Sequence, residues 1–333
     1  MAELKTNFID QSIATRGAKR IGIYRSDGIR VGNVELGKWR LPTSGKKLYS
    51  FGVLADSHIG RKDDTNNDGK QDANAIPHFE AALDYFRKSD ASFICIAGDL
   101  VEDGGNKDQW ELYNSIIEKH GSGKEVFAIS GNHEQLAYST IYGYAQEYAG
   151  MNAMVYDFEH GNDAFIMLGC ISYGQETVDK KVVNQRQIYT SVNLQKVHEL
   201  LEKHKDKRCF VIQHVQPDTT VEDVDVLAAI AEGKNSHIPL SFMAQYENIA
   251  AVFHGHAHRP FSSMNNYTGK YLFHGKEYDL KTVSVPALCV YGDNKAEGYI
   301  VDVYRDGIHL QGIDFRSREY IPIASYWIEA KER

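Results

Sequence analysis

The 333-residue chain sets 37 Lys and Arg against 45 Asp and Glu, a net charge of −8 without a basic block, which speaks against nucleic acid as a partner. No apolar run approaches a membrane span and the first residues, MAELKTNFIDQSIATRG, lack a signal-peptide core, so no membrane partner and a cytoplasmic location are expected. Four cysteines, none in a CxxC pair, exclude a disulfide framework; Cys95, Cys170, Cys209 and Cys289 lie in or beside apolar runs and read as buried free thiols.

Residues 1 to about 18 are polar and unpatterned. RIGIYR and IRVGNVELG flank Ser26-Asp27-Gly28 and read as a β-hairpin, since Asp-Gly supplies the positive φ of a tight turn. Residues 1–45 are therefore expected to form an N-terminal extension, and 46–333 the main domain. Strand-like and helix-like patterns then alternate. KLYSFGVLAD is a strand, and ANAIPHFEAALDYFRK is helical with Phe79, Leu83 and Phe86 on one face. SFICIAGD is a strand; KDQWELYNSIIEKH is a helix capped by Asn106 and stopped before Gly121. EVFAISGNH is again a strand, followed by a tyrosine-rich helix to about Gly150 and strands near Met154–Phe158 and Ala164–Gly169. SVNLQKVHELLEKHK is an amphipathic helix, RCFVIQH and NIAAVFHGH are strands, and the tail (YLFHG, KTVSVPALCVYG, and a hairpin turning at Asp306-Gly307) is β-rich.

Five of the apolar strands end in metal-binding residue types: Asp56-Ser57-His58 after FGVLA, Gly98-Asp99 after FICIA, Gly131-Asn132-His133-Glu134 after VFAIS, His214 after CFVIQ, and Gly255-His256-Ala257-His258 after IAAVF. In α/β sheets ligands bind at the carboxyl ends of strands, where loops converge. Carboxylates, an amide and imidazoles without a thiolate form a mixed N/O set suited to Mn, Fe, Co, Ni or Zn. A pair of such ions can activate a bridging water and clamp an in-line displacement at phosphorus.

The ordered set D-x-H, G-D, G-N-H-E, H, G-H-x-H resembles the signature of the calcineurin-like metallophosphoesterase superfamily, over residues 56 to 258. The resemblance implies an α/β fold, a four-layer α/β/β/α sandwich of two mixed β-sheets flanked by helices, with two metal ions at the strand ends. It assigns one ion to Asp56, His58, Asp99 and His258, and the other to Asp99, Asn132, His214 and His256, so that Asp99 bridges. The implied activity is hydrolysis of a small phosphomonoester or phosphodiester, with a nucleotide among the candidates, by a metal-bridging hydroxide, with His133 as general acid and Glu134 orienting it. A non-catalytic metal-binding scaffold of the same fold and a nuclease are the alternatives. Glu102 stands where purple acid phosphatases carry a tyrosine ligand, and the arginines expected of protein serine/threonine phosphatases are missing.

Four residues outside the set are substrate-side candidates: Asn132 again, Arg61, Arg259 and Tyr173. His254 is expected to be a packing histidine and no ligand. The loop DDTNNDGKQD offers Asp64, Asn66, Asp68 and Asp72 at calcium-loop spacing, but Ala75 replaces the bidentate carboxylate; a weak calcium site or a solvated turn is expected. Specificity is assigned to the loops 172–189, 215–238 and 260–274. The sequence does not speak to oligomeric state.

Overall fold

The computed structural model describes residues 20–24, 30–35, 45–60, 75–135, 138–151, 153–170, 192–217, 235–236, 240–263, 266–273, 276–289, 295–330 and 332–333. The Asp27-Gly28 turn, Arg61, Tyr173 and the calcium-like loop lie outside them. β1 (Arg20–Tyr24) and β2 (Arg30–Glu35) pair antiparallel. The chain then runs β3 (Tyr49–Leu54), α1 (Ala75–Lys88), β4 (Phe93–Ile96), α2 (Lys107–His120), β5 (Glu125–Ala128), a 3₁₀ turn His133–Gln135, and α3 (Tyr138–Ala149). There follow β6 (Val155–His160), β7 (Asp163–Leu168), β8 (Val192–Asn193), α4 (Leu194–Lys203), β9 (Arg208–Gln213), β10 (Asn235–Ser236), a short α5 (Leu240–Met243) and β11 (Ile249–His254). The last part holds β12 (Tyr267–Thr268), β13 (Tyr271–Phe273), β14 (Lys276–Tyr278), β15 (Thr282–Ser284), β16 (Glu297–Val303), β17 (Gly307–Asp314) and β18 (Glu319–Glu329).

Two six-stranded sheets dominate, ordered β18-β17-β16-β3-β4-β5 and β12-β15-β11-β9-β7-β6. Each is mixed: β3-β4-β5 and β15-β11-β9-β7 are parallel, and the remaining neighbours antiparallel. The period-2 alternation of strand side chains explains the layering. Phe51, Val53, Phe93 and Cys95 of the first sheet meet Phe165, Met167, Phe210, Ile212 and Phe253 of the second in one central core. The intervening residues point outward: Leu54, Ile94 and Ile96 pack on Phe79, Leu83 and Phe86 of α1 and Trp110 and Tyr113 of α2. On the far side, Ile166, Leu168, Val211 and Val252 pack on Leu194, Val197 and Leu201 of α4. The order is helix, sheet, sheet, helix.

Local chemistry fixes the helix ends. Asn106 caps α2 by accepting from the backbone N–H of Asp108 and Gln109, and Gly121 ends it. All four cysteines are free and buried. Among the described residues no helix is long and apolar enough to cross a membrane.

One feature departs from the sequence reading. KTVSVPALCVYG yields only the three-residue β15; Pro286 has no N–H for a ladder, and the run goes on as a single bridge between Ala55 and Ala287. The eleven-residue β18 carries Pro322 inside it, which is tolerated because β18 is the edge of its sheet.

Candidate metal centre

β3, β4 and β5 come from one sheet and β9 and β11 from the other, and the carboxyl ends of all five meet along one edge of the sandwich. Backbone bonds continue the ladders past the strand ends: Asp56 N–H donates to Gly98 O (3.0 Å), His58 N–H to Asp99 O (2.9 Å) and Gly255 N–H to His214 O (3.0 Å). Each motif then turns sharply. Asp56, His58, Asp99, His256 and His258 all have positive φ, from 42° to 65°, and Arg318 is the one other non-glycine with positive φ among the described residues. Left-handed backbone at a non-glycine residue costs about 1–3 kcal/mol and collects where surrounding structure enforces it for function. The motif glycines have a steric reason. At Gly98 (φ +86°) a Cβ would stand 2.6 Å from His214 Nδ1, and at Gly131 it would strike the Asp99 carboxylate.

The ligand atoms expected from the sequence fall into two of four donor groups among the described residues; the other two join Glu102 and His133 to His58, and Cys289 to His58 and His258. Those of Asp56, His58, Asp99 and His258 lie within 4.8 Å of one another, as do those of Asp99, His214 and His256. Asp99 belongs to both: its Oδ2 is 3.4 Å from His58 Nε2 and 3.2 Å from His214 Nε2. Asn132 joins the second group, with Oδ1 2.9 Å from His214 Nε2. His58 Nε2 and His258 Nε2 lie 3.2 Å apart, and His258 Nε2 is 3.4 Å from Asp56 Oδ1. Carboxylate, imidazole and amide donors converging this closely fit two divalent ions.

Electrostatics bind the cluster together. Burial works to raise Asp99, but the His214 and His58 imidazoles hold its carboxyl well below the usual range. Burial likewise opposes charge on His214 and His258, yet the neighbouring carboxylates win: Asp99 brings His214 to about 9, and Asp56 brings His258 to about 10. His256 goes the other way, lowered to about 4 by burial and by the charge of His214.

His133 stands against the first group, its ring centroid 4.5 Å from that of His58. Its Nδ1–H donates to the Glu102 carbonyl (2.8 Å) and its backbone N–H to Asp99 Oδ1 (3.0 Å). Glu134 was expected to orient this ring, and its carboxylate does something else. It is fully buried and accepts from the backbone N–H of Gly131 (2.6 Å), Val101 (3.0 Å) and Asp99 (3.1 Å), so it shapes the two loops that present Asp99 and Asn132. Burial and the Asp99 charge raise its carboxyl to about 7.

His254 joins neither group: buried, lowered to about 4 by that burial, it lies in the row of Gln213 and Ser284. Arg259 is exposed directly after His258. Sequence reasoning missed two contacts. Glu102 Oε2 accepts from His58 Nδ1 (2.7 Å), and Cys289 Sγ is 3.8 Å from His258 Nδ1. For Glu102 the signal was its place three residues after Asp99; for Cys289 there was none.

Residues 49–260 match the family model described as calcineurin-like phosphoesterase. No curated protein matches the sequence. Among solved structures, a dimetal phosphatase from Danio rerio is similar at TM-score 0.56 and 14% identity, covering 86% of this chain and 100% of that one. Purple acid phosphatase PPD1 from yellow lupin (Lupinus luteus) seeds is similar at TM-score 0.50 and 13% identity, covering 94% of this chain and 59% of that one. At such identities these likenesses speak for the fold.

Proposed function

The chain belongs to the calcineurin-like phosphoesterase family and is a hydrolase of phosphate ester bonds; from that premise we propose that it cleaves a small phosphomonoester or phosphodiester, with His133 as the general acid. The observation that carries the reading is the pair of donor groups sharing Asp99, with His133 beside them. Two divalent ions bound there would supply Lewis acidity at the phosphoryl oxygens and a nucleophile at neutral pH. The first would be held by Asp56, His58, Asp99 and His258, the second by Asp99, Asn132, His214 and His256.

The protein's own groups do the rest. The Glu102 carbonyl fixes Nδ1–H of His133 and so leaves Nε2 to exchange a proton with a departing alkoxide. Glu102 Oε2 stands beside the same ring edge, 3.7 Å from Nδ1. Glu134 holds the Asp99 and Gly131 amides, which keeps the bridging carboxylate and His133 in register. Nucleotides are the first small phosphorylated molecules to screen.

The test assays phenyl phosphate, p-nitrophenyl phosphate and bis-p-nitrophenyl phosphate, manganese supplied, in wild-type and His133→Ala protein. A general acid contributes about 10²–10⁴-fold. The loss should be larger for phenyl phosphate, whose leaving group needs the proton, than for the p-nitrophenyl ester. Equal losses on both esters would remove the acid role from His133. A protein with both ions bound that hydrolyses neither ester class would favour the scaffold reading.

A further inference from the structure

Behind the metal centre the chain crosses from the second sheet to the first. β15 belongs to the second sheet, and residues 285–289 leave it. Val285 N–H still donates to His254 O of β11 (2.7 Å). Ala287 then forms a parallel bridge with Ala55, Leu288 N–H donates to Ala55 O and Cys289 N–H to Asp56 O (both 3.1 Å). The crossing is thus tied at one end to the strand that delivers His256 and His258, and at the other to the strand that delivers Asp56 and His58. Its last side chain, Cys289, brings Sγ to 3.8 Å from His258 Nδ1.

The first turn of α1 closes over this crossing. Ala75 packs on Ala287 and Cys289, and Leu288 joins the core under the helix with Phe79 and Leu83. Fully buried His78 donates from Nδ1 to Leu288 O (2.7 Å). The partners fix the tautomer of the ring. Leu288 O can only accept, so Nδ1 carries the proton; Arg316 Nη1, which can only donate, stands 3.4 Å from Nε2. Burial, helped by the Arg316 charge, lowers the pKa of the ring and keeps it neutral. The other buried positions of α1 (Ala75, Phe79, Ala82, Leu83 and Phe86) are apolar, as a helix face on a core requires. A polar ring in that row costs free energy unless it is bonded, so packing alone does not account for a histidine there.

We infer that His78 is a positioning residue for the metal centre: it pins the crossing 285–289 and through it keeps Asp56 of one sheet and His258 of the other in register. This rests on the reading of the site as a metal centre. Without the Nδ1 donor, Leu288 O loses its side-chain partner and the crossing is free to shift, carrying Asp56 and Cys289 relative to His258. Metal sites need their ligands held to within about 0.5 Å, and groups that orient ligands from outside the coordination sphere carry about 10–100-fold of metal affinity.

The experiment dialyses metal-stripped wild-type, His78→Leu and His78→Asn protein against Mn²⁺ and measures the bound ion. Circular dichroism checks folding, and urea unfolding gives the stability of the metal-free proteins. Asparagine places its amide nitrogen where Nδ1 lay and can still donate to Leu288 O; leucine fills similar space with no donor. His78→Leu is expected to raise the Mn²⁺ concentration for half-uptake by about 10–100-fold, and His78→Asn to lie near wild type. His78→Gln, whose amide nitrogen falls on the Nε2 side, should behave as His78→Leu does and supplies the same contrast if the leucine variant does not fold. Folded His78→Leu protein that is weakened towards urea yet takes up manganese as wild type does would make the residue structural only and overturn the inference. So would an equal loss of uptake in His78→Asn and in His78→Leu or His78→Gln. Wild-type protein that takes up no manganese would instead sink the reading of the site as a metal centre, and the inference with it.

Discussion

Arg208 and Asp163 form a buried ion pair at the end of the sandwich opposite the metal centre, and replacing Arg208 by methionine should be among the most destabilising single changes outside the core. Both residues are 1% exposed. The guanidinium donates to Asp163 twice, through Nε (2.8 Å) and Nη2 (2.7 Å), and through Nη1 to the carbonyls of Tyr304 (2.6 Å) and Ala330 (2.8 Å). Tyr49 adds an O–H bond to Asp163 Oδ2 (2.6 Å). Arg208 and Asp163 begin strands of one sheet; Tyr49 begins, and Tyr304 and Ala330 follow, strands of the other. The cluster is thus a clamp between sheets. Methionine keeps an unbranched apolar stem but leaves a buried carboxylate with one hydroxyl donor and two carbonyls short of a partner. Breaking one half of a buried pair costs about 3–5 kcal/mol, whereas removing both charges costs much less. Urea unfolding followed by circular dichroism should therefore show Arg208→Met losing about 3–5 kcal/mol, and the Arg208→Met/Asp163→Asn double variant losing less than Arg208→Met alone. A single-variant loss below about 1 kcal/mol, the level of an exposed pair, or a double variant whose loss equals the sum of the singles, would refute this account of the clamp.

Two further outcomes concern the centre itself. Asp99→Ala should lose both ions, while His58→Ala and His256→Ala should each lose one, because only Asp99 belongs to both donor groups; elemental analysis of purified protein reads this directly, and two ions retained in Asp99→Ala would contradict the bridge. Metal uptake at pH 7 should release protons and tighten as pH rises towards 9: His214 and His258 are raised to about 9 and about 10, so they carry protons at pH 7 that a binding ion must displace. Calorimetric heats that do not change between buffers of different ionisation enthalpy would show that no proton leaves.

The five metal-bearing motifs are legible in the sequence because each follows its apolar strand without a gap. A strand's end is a local feature, and in this architecture the carboxyl ends of the parallel strands are where ligands bind. The order of strands and helices carries the layers for the same reason, since alternation at period 2 tells which side chains look inward. Glu102 and Cys289 carry no such mark. Glu102 reaches His58 across 44 positions of sequence and Cys289 reaches His258 across 31. In the sequence, PALCVYG looks like any buried run, and its thiol reads as inert. Glu134 stands beside His133 in sequence, but its carboxylate accepts from the backbone N–H of Gly131, Val101 and Asp99, so it reaches His133 through the loops that carry the site.

The same distinction says where change is tolerated. The donor residues come from both sheets, so the spacing between Asp56 or Asp99 on one and His214 or His256 on the other is set by how the central aromatic core packs. Phe51 and Phe93 stack at 5.5 Å within the first sheet, and Phe51 meets Phe165 edge-on at 5.0 Å across to the second. A site built from such donors needs them held to within about 0.5 Å, and here they come from both sheets. The rigid helix-flanked sandwich, the buried Arg208–Asp163 clamp at one end and the strained left-handed turns at the other therefore serve one requirement. They hold two halves of a divided site at a fixed distance.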